Sequence, residues 1–246
     1  MTDDAPWSML NPEGRGGVAL SCEHASNRLP PWLQASAADA PWMQTHWAID
    51  LGAAAVTLQL SRILDAPAIL AGFSRLVCDA NRSPGDPTWI REEVEGHRLS
   101  FNADVDVAER QRRARALYAP YHAALDQLLV DRLARWQRTL LFSVHTFTPN
   151  YQGEVREMEM GVLFDLHDDL AEGFAEGLRG AGYRTELNAP WSGRDGLAYS
   201  PDRHGRAHRL PYLEIEVRQD LLRDPAGVQR AAEALAEQLL RLTRPG

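Results

Sequence analysis

The sequence predicts an α/β fold with a mixed, mostly parallel central sheet flanked by helices. Segments with the 3.6-residue periodicity of amphipathic helices alternate along the chain with short apolar runs. Several of these runs are continuously apolar, which is typical of strands that are covered on both faces. We expect the 246 residues to form a single domain, 1–246, in which residues 1–15 are a loose N-terminal arm.

In the first half of the chain, apolar runs predict strands at 17–22, 67–70 and 76–78. Helical spacing of leucine, alanine and isoleucine predicts a helix over 46–64. The polar segment 83–103 contains prolines and glycines and has no clear periodicity, which indicates a functional loop or a lid.

In the second half, the pattern over 105–137 is helical and arginine-rich, and Pro120 is expected to kink or divide this helix. The remaining strands are predicted at 139–144, which ends at His145, and at 161–166, 183–187 and 213–217. Helices are predicted over 168–180 and 225–242, and a loop is predicted through Pro190, Gly193, Gly196 and Gly205.

Composition excludes several classes of function. All 26 basic residues are arginine, so no lysine is present to form a Schiff base or to serve a P-loop. The net charge of −8 disfavours nucleic-acid binding. The N-terminus lacks the features of a signal peptide, and no run approaches the ~20 apolar residues of a membrane span, so a cytoplasmic protein without a membrane partner is expected.

Polar residues follow or end four of the predicted strands. They are Glu23 with His24, Asp79 with Asn81 and Arg82, His145, and Glu216 with Arg218. In parallel sheets, ligands bind outside the carboxyl ends of the strands. The four groups are therefore expected to converge at one edge of the sheet.

Two of these residues, His24 and His145, are candidate metal ligands because imidazole is a common ligand of zinc. A catalytic zinc site needs a third protein ligand and an open position for water. Glu23, Asn27, Asp50 and His46 are the candidates for the third ligand. His46 and Asp50 would share one face of the predicted helix 46–64.

Charged and polar side chains at the other predicted strand ends are candidates for a general base and for substrate binding. Alternation along 213–218 places Glu214, Glu216 and Arg218 on one face of a strand, and a carboxylate beside an activated water is a suitable general base. Arg75, Asn81 and Arg82 surround a short predicted strand and have the donors that bind a carboxylate.

Five segments of the chain, spread in order over roughly residues 17 to 240, form a recognisable set. They are Ser21-Cys22-Glu23-His24-Ala25-Ser26-Asn27, His46-Trp47-Ala48-Ile49-Asp50-Leu51-Gly52, Ser74-Arg75-Leu76-Val77-Cys78-Asp79-Ala80-Asn81-Arg82, His145-Thr146-Phe147-Thr148-Pro149 and Glu216-Val217-Arg218-Gln219-Asp220. In these segments and in their order, the chain resembles the N-formylglutamate amidohydrolase family.

The resemblance, which extends to zinc carboxypeptidases and aspartoacylases, implies a metal-dependent amidohydrolase. Its substrate would be N-formyl-L-glutamate or another small N-acyl amino acid, and its metal would be zinc. His24 and His145 would bind the metal, and Glu216 would be the catalytic glutamate. The substrate would be held by Arg75, Asn81, Arg82 and Arg218, the last of which would also position Glu216.

One position departs from the related enzymes, whose pattern is His-x-x-Glu, because Asn27 occupies the place of the glutamate. Asp50 is preferred as the third ligand, since Glu23 is expected to point away from His24 on its strand. The departure motivates an alternative, a non-catalytic binder of acidic metabolites on the same fold. An interaction module built on the arginine-rich helix 105–138 is a further alternative, and formation of a homo-oligomer is left open.

Overall fold

A seven-stranded sheet forms the centre of the computed structural model, which describes residues 5–135 and 139–243. In chain order its strands are β1 (Trp7–Leu10), β2 (Val18–Cys22), β3 (Ala68–Ala71), β6 (Leu140–Phe147), β9 (Met160–Leu163), β10 (Thr185–Leu187) and β11 (Tyr212–Arg218). They lie side by side in the order β1-β3-β2-β6-β11-β9-β10.

The four central strands, β3, β2, β6 and β11, are parallel to one another. On one side, β1 runs antiparallel to β3. On the other, β9 runs antiparallel to β11 and parallel to β10. The prediction of a mixed, mostly parallel sheet is confirmed, and the carboxyl ends of the four central strands meet at one edge.

Six α-helices and two small hairpins complete the described part of the chain. The helices are α1 (Ala53–Ile63), α2 (Val107–Arg113), α3 (Ala119–Arg135), α4 (Asp168–Gly180), α5 (Tyr199–His208) and α6 (Pro225–Thr243). The hairpins pair β4 (Glu93–Val94) with β5 (His97–Arg98) and β7 (Asn150–Tyr151) with β8 (Glu154–Val155). Among residues 5–135 and 139–243, no helix is long and apolar enough to cross a membrane.

The two faces of the sheet differ in polarity because side chains alternate along each strand. Phe142, Val144 and Ile215 point to one face and pack in a continuous apolar core with α1, α4 and α6. The opposite face packs against α3 and α5. Near the amino ends of β6 and β11, Leu141 and Tyr212 are buried in the apolar core on that face. Towards the carboxyl ends of the strands this second face becomes polar, which creates the setting for a site.

Several boundaries differ from the sequence prediction. Residues 7–10, expected in a loose arm, form the edge strand β1. Helix α1 begins at Ala53 rather than near 46, because Gly52 has a left-handed φ of 90° that breaks the helix. The predicted strand 76–78 is a turn, and the predicted loop around Gly205 contains helix α5.

The arginine-rich helix is also different in detail. It runs through α2 and α3 with a π-helical turn between them, at Ala114–Tyr118, just before Pro120. Residues 136–138 lie outside the described residues. Arg113 is fully buried and donates hydrogen bonds to the carbonyl oxygens of Val77 and Phe101 and to Asn102. A buried arginine with that many acceptors is a structural residue.

Segment 83–103 packs against the rest of the protein and contains the β4–β5 hairpin. Val94, Leu99 and Phe101 join Met43 and Leu76 in a small third core. The buried Asp39 carboxylate connects this segment to the loop before α1. It accepts hydrogen bonds from Ser36 Oγ at 2.8 Å, from His97 Nε2 at 2.8 Å and from the hydroxyl of Ser100.

These hydrogen bonds, formed although burial opposes the charge, hold the pKa of Asp39 below its usual range. A group with a lowered pKa stabilises the fold above its unfolded pKa, about 3.9, and loses that contribution as the pH falls towards the folded value. We expect Asp39→Asn to lower the free energy of unfolding at pH 7 by about 2 kcal/mol. Urea unfolding at a series of pH values should show the difference narrowing only below about pH 4. An equal difference at every pH would contradict a charge-dependent role.

Candidate active site

A cleft opens at the edge where β2, β3, β6 and β11 end, and it encloses about 840 Å³ of space that is partly open to solvent. All four predicted groups of polar residues contribute to it or lie beside it. Its lining residues are His24, His46, Trp47, Asp50, Arg75, Asn81, Arg82, Arg91, His145, Thr146, Phe147, Thr148, Tyr151, Arg156, Trp191, Leu197, Glu214 and Glu216.

In the cleft, one carboxylate oxygen of Asp50 contacts a ring nitrogen of His24 and a ring nitrogen of His145. Asp50 Oδ2 lies 3.2 Å from His24 Nδ1 and 2.9 Å from His145 Nδ1. The three side chains are buried, and their ligand atoms all lie within 4.8 Å of one another. Ligands around one tetrahedral zinc ion are ~3.3 Å apart, so the observed spacing suits such an ion.

The local structure explains how this group assembles. His24 follows β2, and His145 lies on the neighbouring strand β6. Asp50 lies in the turn before α1, where its N–H donates to the carbonyl oxygen of His24 at 3.1 Å. The N–H of Thr146 donates to Asp50 Oδ2 at 3.2 Å. Backbone hydrogen bonds therefore fix the Asp50 carboxylate between the two strand ends.

Each histidine is oriented by a second carboxylate on its other ring nitrogen. His24 Nε2 lies 2.7 Å from Asp79 Oδ1, and His145 Nε2 lies 3.1 Å from Glu23 Oε2. Glu23 also accepts hydrogen bonds from the Tyr121 and Ser143 hydroxyls. Metal-binding histidines characteristically donate their second N–H to a carboxylate, so these outer partners match a metal site.

Five buried carboxylates lie around the two histidines of the cleft. Glu23, Asp50, Asp79, Glu214 and Glu216 are all buried here. Burial alone would raise the pKa of Asp50, but His24 and His145 hold it below its usual range. Arg75 donates to Asp50 Oδ1 at 3.2 Å and to Asp79 Oδ2 at 3.0 Å. Glu23, Asp50 and Asp79 are thus each paired with a histidine or with Arg75, whereas Glu216 forms no ion pair among the described residues.

Glu214 and Glu216 lie on the same face of β11, as the alternation of side chains predicts. Both are beside His145, which is on the neighbouring strand β6. Their carboxylate oxygens lie within 4.8 Å of a His145 ring nitrogen and of one another. Glu214 is held by Asn81, whose Nδ2 donates to it at 3.0 Å. Glu216 Oε2 has no hydrogen-bond partner among the described residues. Burial raises the pKa of Glu216 to about 8. Glu216 therefore has a free carboxylate oxygen in the cleft.

The expected substrate-binding residues occupy different positions. Arg75 lines the cleft, but its guanidinium is already paired with Asp50 and Asp79. Asn81 is also occupied, since it donates to Glu214 and its Oδ1 accepts the Ser200 N–H at 2.7 Å. Both residues therefore hold other parts of the site in place. Arg82 lines the cleft beside them.

Arg218 was predicted to bind the substrate and to position Glu216, but it is not among the residues that line the cleft. Its NH1 donates to the carbonyl oxygens of residues 156–158, each at 3.0 Å, and its Nε donates to Asp220 at 2.7 Å. Arg218 is therefore a positioning residue for the segment that includes Arg156, rather than a substrate ligand or a partner of Glu216.

Asn27 and His46, two of the other candidates for the third metal ligand, also differ in position from the sequence prediction. Asn27 donates to the carbonyl oxygen of Met43 at 2.8 Å and is not part of the cleft. His46 does line the cleft, but it is outside α1 and shares no helix face with Asp50. Its Nε2 has no hydrogen-bond partner within 5–135 and 139–243.

Two arginines that the sequence did not single out, Arg91 and Arg156, lie on the cleft wall. The Arg91 guanidinium lies 5.2 Å from the ring centre of Trp47. The Arg156 guanidinium lies 4.8 Å from Tyr151 and 5.1 Å from Trp191. No carboxylate among the described residues forms an ion pair with either arginine. The available positive charge is thus at the mouth of the cleft, and no sequence pattern distinguished these arginines from surface ones.

A deep cleft at the carboxyl ends of parallel strands, with a His-Asp-His group beside an unpaired glutamate, is typical of a metal-assisted hydrolase. A family model described as N-formylglutamate amidohydrolase matches residues 17–223. The chain belongs to this family, and it is a hydrolase that acts on amide bonds. A search of curated protein sequences gave no match.

Solved structures share the fold. A gene product of Agrobacterium tumefaciens is 33% identical, with a TM-score of 0.90 over 97% of this chain and 95% of that one. The N-formylglutamate amidohydrolase from Ralstonia eutropha is 20% identical, with a TM-score of 0.74 over 97% of each chain.

Proposed function

We propose that the protein hydrolyses N-formyl-L-glutamate, or a close N-acyl analogue, to a carboxylate and the free amino acid, with a bound divalent metal ion, zinc. The observation that carries the proposal is the single cleft that combines a His-Asp-His group, a free buried glutamate and unpaired arginines. Membership of the N-formylglutamate amidohydrolase family supports the same substrate.

His24, Asp50 and His145 would hold the metal ion. Two imidazole nitrogens and one carboxylate oxygen form a donor set that zinc uses in catalytic sites, and the open cleft leaves room for water and substrate. When bound, the ion supplies a positive charge that polarises the amide carbonyl and acidifies the attacking water. Asp79 and Glu23 keep the two imidazoles in the orientation and tautomer that this requires.

Glu216 is the proposed general base, because its Oε2 has no protein partner and it lies next to His145. It accepts a proton from water as the water oxygen bonds to the carbonyl carbon. It then gives that proton to the amide nitrogen as the C–N bond breaks, and the amino acid leaves as the amine. Glu214 is less suited to this role, since Asn81 already donates to it.

The substrate carboxylates are proposed to bind Arg82, Arg91 and Arg156 at the mouth of the cleft. These guanidiniums line the cleft and are half-buried, which strengthens their attraction for an anion. Aromatic rings of Trp47, Tyr151 and Trp191 support two of them and limit their motion. An acidic side chain on the substrate, as in glutamate, gives a second carboxylate for a second arginine.

Replacing Glu216 by glutamine should remove the general base and leave the shape of the site unchanged. We expect wild-type protein to release formate from N-formyl-L-glutamate and Glu216→Gln to lower kcat by about 10²–10⁴-fold. Formate release measured with Glu154→Gln, which changes an exposed glutamate on β8, is the control and should match wild type. Substantial activity in Glu216→Gln would exclude it as the base, and no hydrolysis by wild type of any N-acyl acidic amino acid would contradict the proposed substrate class.

Substitution of Arg156 tests the proposed carboxylate site. Arg156→Ala is expected to raise KM for N-formyl-L-glutamate by about 10- to 100-fold, which corresponds to the loss of one charge-assisted hydrogen bond. The effect should be much smaller for N-formyl-L-glutamine, which lacks the side-chain charge. Steady-state kinetics with both substrates, and with Arg230→Ala on the exposed side of α6 as a control, give the comparison. An equal rise in KM for the two substrates would place the side-chain carboxylate elsewhere.

A further inference from the structure

We propose that Asp126, His204 and His208 form a second site for a divalent transition-metal ion, between α3 and α5 and separate from the cleft. His204 and His208 are four residues apart on α5, so they lie on one face of that helix. Asp126 lies on α3, which packs against α5. None of the three residues lines the cleft.

The three ligand atoms converge on one point. His204 Nδ1 lies 2.8 Å and His208 Nε2 lies 2.9 Å from the same carboxylate oxygen, Asp126 Oδ1. All three atoms lie within 4.8 Å of one another. Two imidazole nitrogens and a carboxylate oxygen are a donor set for zinc and its neighbours in the first transition series.

Burial around this group increases from the solvent inwards. The Asp126 side chain is 41% exposed and that of His208 is 17% exposed, whereas His204 is fully buried. An ion can therefore reach the group from solvent, and water can complete its coordination. The buried histidine supplies a ligand of fixed position.

A further histidine orients the buried ligand. His122 Nδ1 lies 2.8 Å from His204 Nε2, and the two rings stack with their centres 5.0 Å apart. With an ion on His204 Nδ1, the His204 proton is on Nε2 and is donated to His122. This is the outer hydrogen bond that metal-binding histidines generally make, and here a neutral imidazole is the acceptor.

The position of the site gives it a structural effect on the cleft. Helix α5 begins against the cleft wall, where the Ser200 N–H donates to Asn81 Oδ1 at 2.7 Å and the Leu197 carbonyl accepts from Arg82 at 3.2 Å. An ion that joins His204 and His208 to Asp126 fastens α5 to α3. Occupancy of this second site is thus expected to stabilise the fold and the wall that contains Arg82.

Metal stoichiometry tests the proposal. Untagged wild-type protein, His208→Ala and His145→Ala are dialysed against Zn²⁺, and bound zinc per chain is measured by inductively coupled plasma mass spectrometry. His167→Ala removes an exposed histidine elsewhere and is the control. We expect about two zinc ions per chain in wild type and in the control, and one fewer in His208→Ala. Equal zinc in wild type and His208→Ala would overturn the second site and leave a hydrogen-bonded cluster only.

The same experiment separates this site from the proposed active site. Loss of one zinc in His208→Ala but none in His145→Ala would support the second site and contradict the catalytic metal. As a further readout, Zn²⁺ should raise the Tm of His145→Ala, and Asp126→Asn combined with His145→Ala should abolish that rise. A rise that survives the combined substitution would show that zinc stabilises the protein at another place.

Discussion

The Asp50 carboxylate is the interaction on which the candidate active site depends. Through Oδ2 it contacts a ring nitrogen of both His24 and His145, and through Oδ1 it accepts from Arg75. It thereby joins the ends of β2 and β6 to the turn before α1. The position of that turn follows from Gly52, whose left-handed backbone ends the turn and starts the helix. Without the Asp50 carboxylate, His24, His145 and Arg75 would each lose one hydrogen-bond partner and keep only the carboxylate on their other side.

A dense group of buried carboxylates surrounds the two histidines. Glu23, Asp50 and Asp79 are each paired with a histidine or with Arg75, whereas Glu216 Oε2 has no partner among the described residues. A cation bound between His24, Asp50 and His145 would be attracted by these carboxylates, and the low dielectric of the interior would strengthen that attraction. The proposed metal ion thus has a structural role as well as a chemical one. The separate group on α3 and α5 has no unpartnered buried carboxylate oxygen beside it within residues 5–135 and 139–243, and it is accordingly proposed to hold a stabilising ion rather than a catalytic one.

The sequence predicts those features that depend on local pattern. Apolar runs locate most strands of the sheet, and because parallel strands end at one edge, His24, His145 and Glu216 can be placed together in advance. Side-chain partners across the fold are not predictable in this way. Arg75 and Arg218 bind protein acceptors that come from distant segments, and Arg91 and Arg156 reach the cleft from irregular segments without a motif. Helix α5 has low apolar content, so its sequence resembles a loop until α3 and the sheet cover one face.

The proposed activity depends on one metal ion held by His24, Asp50 and His145. X-ray diffraction from crystals grown with zinc, with data collected on both sides of the zinc absorption edge, tests it directly. We expect an anomalous peak in the cleft about 2.0–2.2 Å from His24 Nδ1, His145 Nδ1 and an Asp50 carboxylate oxygen. A fully zinc-exposed crystal with no peak between these three residues would contradict it.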